Sequence, residues 1–113
     1  MAEKVIAENR KARHEYHLLE RHEAGLVLTG SEVKSLRQGQ AQLQRAYADI
    51  RDGELWLVGS HIAPYDQAGD GGHEPDRDRK LLLHRREISS LIGKVQERGF
   101  TLVPTKLYFK DGR

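Results

Sequence analysis

The pair Asp52-Gly53 constrains this chain more than any other two residues. Both positions accept the positive φ angles of a type I′ turn, whose twist matches the strands on either side. The flanks Tyr47–Ile50 and Leu55–Val58 are rich in the apolar and aromatic side chains that pack on a pleated surface. A two-residue loop then sets the register: Arg51 opposite Glu54, Ile50 opposite Leu55, Asp49 opposite Trp56, and Ala48 opposite Leu57. Opposite charges at the mouth and apolar partners beyond it support that pairing. A lone hairpin is marginal in water, so the rest of the chain must cover its apolar face. With 113 residues, 37% of them hydrophobic, residues 1–113 read as one domain with one small core.

The remaining segments supply the cover. His14 to Arg21 and Leu26-Val27-Leu28 flank the turn-like Glu23-Ala24-Gly25 and suggest a first hairpin. Ser31 can cap a helix of about two turns in which Val33 and Leu36 share a face, closed by Gly39. Leu81-Leu82-Leu83 reads as a buried strand. Ile88, Leu91, Ile92 and Val95 follow the i, i+3, i+4, i+7 pattern from Glu87 to the stop at Gly99. Phe100 to Phe109 is a strand in which Pro104 marks a bulge or an edge. Residues 1–8 form a flexible polar start, and residues 66–78, with no apolar side chain larger than alanine, a mobile loop. Five or six strands with two short helices and one longer one suit a mainly β, small antiparallel barrel with flanking helices.

Several function classes fall away. Cysteine is absent, which excludes disulfides, thiolate nucleophiles and Cys-based zinc sites. No run approaches the roughly 18 apolar residues of a membrane span, and Met1-Ala2-Glu3-Lys4 lacks the apolar stretch of a signal peptide. The chain therefore reads as cytoplasmic, with no membrane partner. His14, His17 and His22 invite a metal reading, but residues three apart on a strand point to opposite faces, and His14-Glu15-Tyr16-His17 is one residue short of the HExxH spacing. Neither a metal nor a cofactor is expected. No nucleophile elbow, phosphate-binding loop or dinucleotide fingerprint occurs, so the chain does not read as an enzyme.

The net charge is only +2, but it is unevenly placed. Arg77, Arg79, Lys80, Arg85 and Arg86 stand against Asp78 alone within ten residues, and Arg10, Lys11 and Arg13 form a second cluster. Gathered cations favour a polyanionic partner. RNA recognition pairs such cations with aromatic platforms. Tyr16, Tyr47, Trp56, Tyr65 and Tyr108 are available; the hairpin positions of Tyr47 and Trp56 assign them to the core, and Tyr65, beside Pro64, is expected to be exposed.

Six motifs then fall in order: Asn9-Arg10-Lys11-Ala12-Arg13-His14-Glu15-Tyr16; Glu23-Ala24-Gly25-Leu26; Gly30-Ser31-Glu32-Val33-Lys34-Ser35-Leu36-Arg37; His61-Ile62-Ala63-Pro64-Tyr65; Arg79-Lys80-Leu81-Leu82-Leu83-His84; and Thr101-Leu102-Val103-Pro104 with Leu107-Tyr108-Phe109. Over residues 8–113 the chain closely resembles the small protein B family, the bacterial SsrA-binding proteins. The resemblance implies an oligonucleotide-binding-type (OB) barrel that binds the tRNA-like domain of transfer-messenger RNA (tmRNA) and catalyses nothing itself. It implies delivery, with alanyl-tmRNA carried by elongation factor Tu, to stalled ribosomes, chiefly the small subunit, in trans-translation. By matching motif it places RNA contacts at Asn9, Arg10, Lys11, Arg13, His14, Glu23, Tyr65, Arg79, Lys80 and Leu82. Glu32, Lys34 and Arg37 stay open between RNA and ribosome. Without the resemblance, Glu23 reads as a solvated turn residue and Leu82 as core packing. The alternatives are a nonspecific single-strand binder of the same barrel type and a small carboxylate-dependent hydrolase.

Two departures accompany the match. Gln40 stands where the family carries a lysine. The sequence ends at Asp111-Gly112-Arg113, whereas family members continue with another strand and a basic tail. The expectation is a truncated chain whose last strand is lacking, able to bind the RNA, unable to support tagging, and prone to dimerise through an unpaired sheet edge.

Overall fold

The computed structural model describes residues 3–15, 18, 20–65 and 72–112. The hairpin forms as its turn dictates. Strand β4 (Tyr47–Arg51) pairs antiparallel with β5 (Glu54–Val58), and all four cross-strand pairs read from the sequence are present. Asp52 and Gly53 take φ of 51° and 75°, the two positive values a type I′ turn requires. The charges at the mouth, however, do not meet each other. Arg51 donates to Asp49 at 3.0 Å and to Asp78 at 2.6 Å, while Glu54 faces Lys80 at 3.7 Å.

Strand β2 (Gly25–Leu26) and β7 (Arg79–Leu82) complete a four-stranded sheet of order β2-β7-β5-β4. Leu26 pairs with Leu81 across the sheet, because β7 offers it an open ladder. The first hairpin expected from His14 to Leu28 is therefore corrected. Residues Arg10–Glu15 are helix α1, and among the described residues no strand pairs with β2 from the N-terminal side. The polar start is also corrected: Glu3–Glu8 is strand β1, paired with β8 (Lys106–Lys110). β3 (Ala41–Gln42) pairs with β6 (His61–Ile62) in a third small sheet.

Two further helices flank the sheets. Helix α2 (Gly30–Arg37) starts two residues earlier than Ser31 implied, because Thr29 is its N-cap. Thr29 and Glu32 form a reciprocal capping box: the Thr29 hydroxyl accepts from the Glu32 N–H, and the Glu32 carboxylate accepts from the Thr29 N–H at 2.8 Å. Helix α3 (Arg85–Arg98) ends at Gly99, whose φ of 71° is the left-handed stop the pattern called for.

The core lies on the inner face of the four-stranded sheet in two parts. Leu43, Ala46 and Leu57 pack with Leu26, Leu81 and Leu107; Leu55 packs on Ile88 and Leu91 of α3. Between this sheet and residues 99–108 a leucine-lined cleft of ≈ 650 Å³ remains, so the barrel is not closed. No helix among the described residues is long and apolar enough to cross a membrane.

Candidate nucleic-acid interface

Alternation along β7 sorts the basic run into two faces. Arg79 lies opposite Leu57 and points inward with it; Lys80 lies opposite Trp56 and points outward. Arg79 is consequently 0% exposed. A buried guanidinium needs an anion and acceptors for its remaining protons. It finds the Glu32 carboxylate, also 0% exposed, at 2.7 Å, the Ser60 hydroxyl at 3.0 Å and the Pro75 carbonyl at 3.0 Å. Arg77 completes the clamp by donating to both Glu32 oxygens, at 2.9 and 2.6 Å. Burial pushes the Glu32 carboxyl up, but the hydrogen bonds from Arg77, the Thr29 backbone and Arg79 outweigh it and leave its pKa at about 2.

This clamp overturns three sequence expectations. Glu32 and Arg79 hold the fold together and are inaccessible to RNA. Of the cluster Arg77 to Arg86, Arg77 and Arg79 are spent on Glu32, Lys80 stays on the outer face beside Glu54, and only Arg85 and Arg86 stand fully at the surface. Residues 72–78, expected within a mobile loop, are tied down. His73 bridges Ser31 Oγ at 2.8 Å and the Ile62 carbonyl at 2.9 Å, and Pro75 O accepts from Ile62 N at 3.0 Å. Residues 66–71 lie outside the described residues.

Asn9 is likewise corrected. It is 2% exposed; its amide donates to Leu43 O at 3.2 Å and Pro104 O at 3.0 Å, and its carbonyl oxygen accepts from Ala12 N at 3.2 Å. Asn9 therefore caps α1 and ties it to the core, and what it presents to solvent is the helix itself. Arg10, beside Glu8 at 3.8 Å, and Lys11 are exposed on that helix. The side chains of Arg13 and His14, and residues 16 and 17, lie outside the described residues.

Other predicted residues are at the surface. Leu82 is 50% exposed because it alternates with the inward Leu81, so it is not core. Glu23 is exposed; it accepts a hydrogen bond from Tyr108 Oη and lies 3.5 Å from Lys110. The Tyr108 bond, then the Lys110 charge, hold the Glu23 carboxyl below its usual range, and the same bond pushes Tyr108 up to about 12. On α2, Lys34 and Arg37 are exposed, and Lys34 Nζ stands 5.7 Å above the Tyr65 ring. Tyr65 is half-buried, and Tyr47, assigned to the core by its place in the hairpin, is 45% exposed on the outer sheet face. His22 sits between Glu20 and Glu87 at 3.4 and 3.7 Å. Among the described residues no three His, Cys, Asp or Glu side chains gather as metal ligands.

Fold and surface together define a small antiparallel β module that offers cations and aromatic rings on α1, α2 and the sheet margins. Within that class the chain belongs to the SmpB protein family, whose model matches residues 6–113. It is 61% identical over 109 residues to the SsrA-binding protein of Nitratidesulfovibrio vulgaris (strain DP4), covering 96% of this chain and 71% of that one. It is 57% identical over 113 residues to the SsrA-binding protein of Sulfurihydrogenibium sp. (strain YO3AOP1), covering 100% and 74%. A solved chain described as "tmRNA-SmpB: a journey to the center of the bacterial ribosome" superposes with a TM-score of 0.74 at 50% identity, over 92% of this chain and 73% of that one.

Proposed function

We propose that this chain binds the tRNA-like domain of tmRNA and serves its delivery to stalled ribosomes in trans-translation, as a binding protein of the bacterial cytoplasm that performs no catalysis of its own. The observation that carries the reading is the family match across residues 6–113, with 50% identity over 92% of this chain to a solved tmRNA-SmpB chain. Surface chemistry supports it. Arg10 and Lys11 on α1, and Lys34 and Arg37 on α2, meet phosphates, which orient the RNA without reading its sequence. Glu23 accepts from a base amino group, and Leu82 and Tyr65 offer apolar and aromatic area to unstacked bases. Arg13 and His14 belong to the same reading through the helix they share with Arg10 and Lys11. The ribosome, mainly its small subunit, and elongation factor Tu through alanyl-tmRNA are the further partners.

A gel-shift comparison of tmRNA with a matched transfer RNA tests the reading. The expected result is a preference for tmRNA, an affinity that falls steeply with salt as phosphate contacts release counterions, and a several-fold loss for Leu82→Ala with an unchanged unfolding midpoint. Equal affinity for a generic single strand, or cleavage of the RNA by pure protein, overturns it.

A further inference from the structure

The α2 surface is built on a single buried carboxylate. Glu32 and Lys34 are two residues apart on the helix and so point to nearly opposite sides. Glu32 is the only acid of α2, and its burial leaves the outward side of the helix to Lys34 and Arg37. From Glu32 two chains of contacts run outward. One is the helix itself, begun at the Thr29 capping box and therefore indexed to the same carboxylate. The other passes through Arg79 to Pro75 O, which also accepts from Ile62 N on β6. β6 leads into Ala63-Pro64-Tyr65, and Ala63 is held from both sides: its carbonyl accepts from Ser35 Oγ at 2.7 Å and its N–H donates to Gln40 O at 3.0 Å. The cation and the ring of the Lys34–Tyr65 pair are thus both referred to Glu32 through these two routes, and the Ser35–Ala63 bond joins the routes near their outer ends.

We infer that Glu32, with Arg77 and Arg79, is the positioning centre of a cation–aromatic RNA platform formed by Lys34, Arg37 and Tyr65, one that takes an unstacked nucleobase on the ring and its flanking phosphate on the two cations. The inference rests on the RNA-binding reading above and adds to it a residue that never touches RNA. A carboxylate clamped by two guanidiniums suits the task, since bidentate geometry fixes direction as well as distance. Glu32→Gln keeps the shape and removes the charge that holds both arginines.

The test is a double-mutant cycle on tmRNA affinity in the full chain, well below the unfolding midpoint. Glu32→Gln weakens binding by about tenfold, the scale of one charge-assisted contact. Adding Lys34→Ala to it costs little more, because the platform is already displaced. Adding Arg10→Ala multiplies the loss, because α1 is positioned by Asn9 instead. Where Glu32→Gln does not fold, Arg77→Lys, whose side chain is partly exposed, shows the same pattern at smaller amplitude. A folded Glu32→Gln or Arg77→Lys that binds as wild type, or that combines identically with Lys34→Ala and Arg10→Ala, overturns the inference. Wild-type protein that does not prefer tmRNA overturns the functional reading instead.

Discussion

Replacing Arg79 with methionine isolates the energetic weight of the clamp. The change keeps an unbranched apolar stem but strips Glu32 of one of its donors and leaves the Ser60 hydroxyl and the Pro75 carbonyl each short of a donor. Glu32 is held from 4.5 down to about 2, and at about 1.4 kcal/mol per pKa unit the donors, net of the burial that opposes them, are worth roughly 3 kcal/mol near pH 7. Arg79 supplies only part of that, but the Ser60 hydroxyl left without its donor adds about 1 kcal/mol or more, while Pro75 O keeps the Ile62 N–H. Breaking a buried ion pair costs about 3–5 kcal/mol in general. We therefore expect a loss of about 3 kcal/mol, or about 15 °C in unfolding midpoint for a chain of this size.

The pH dependence gives the result its signature. A carboxylate with a depressed folded pKa stabilises fully above its unfolded pKa and loses that contribution as pH falls toward the folded value. For wild type the window runs from about 4.5 down to about 2, so roughly 2 kcal/mol is already gone at pH 3. In Arg79→Met the Glu32 carboxyl sits closer to its ordinary value and has less to lose. Urea unfolding at pH 7 and pH 3 should show the gap between the two proteins narrowing by about 1–2 kcal/mol. A gap below about 1 kcal/mol at pH 7, or one that is the same at both pH values, would refute the clamp as a stabilising centre.

Three further substitutions test the placement of individual residues. Asn9→Ala removes the donor to Leu43 O and Pro104 O and the cap of α1, and urea unfolding should register a loss of about 2 kcal/mol; unchanged stability with weakened RNA binding would return Asn9 to the contact surface. Gly59→Ala should cost more than Gly53→Ala, although both sit at positive φ. A Cβ on Gly59 would meet Arg45 O at 2.4 Å, whereas on Gly53 it meets nothing within 4 Å. The left-handed conformation alone accounts for about 1–2 kcal/mol at each site, so equal losses would remove the steric argument.

The parts legible in advance were those governed by neighbours in sequence. Asp52-Gly53 dictated a turn and hence a register because a two-residue loop leaves no freedom between the strands it joins. The stripe of Ile88, Leu91, Ile92 and Val95 with Gly99 behind it marked α3 because amphipathicity and its stop are both local. The capping box at Thr29-Gly30-Ser31-Glu32 was equally local and open to being read, yet Ser31 stood closer to the helical pattern and took its place.

What the linear order could not express was which side of each element faces in. Motif matching ranked Asn9, Glu32 and Arg79 with Arg10 and Lys34, since all are polar and lie side by side in the chain. Only the assembled sheet turned Arg79 inward opposite Leu57, brought Glu32 to it across 47 positions, and sent Leu82 out to solvent. Residue identity determined that this chain would carry cations, rings and a family resemblance. The tertiary structure decided which of those charges are spent on one another in the interior, because a buried charge must be paired and its partner comes from a distant strand.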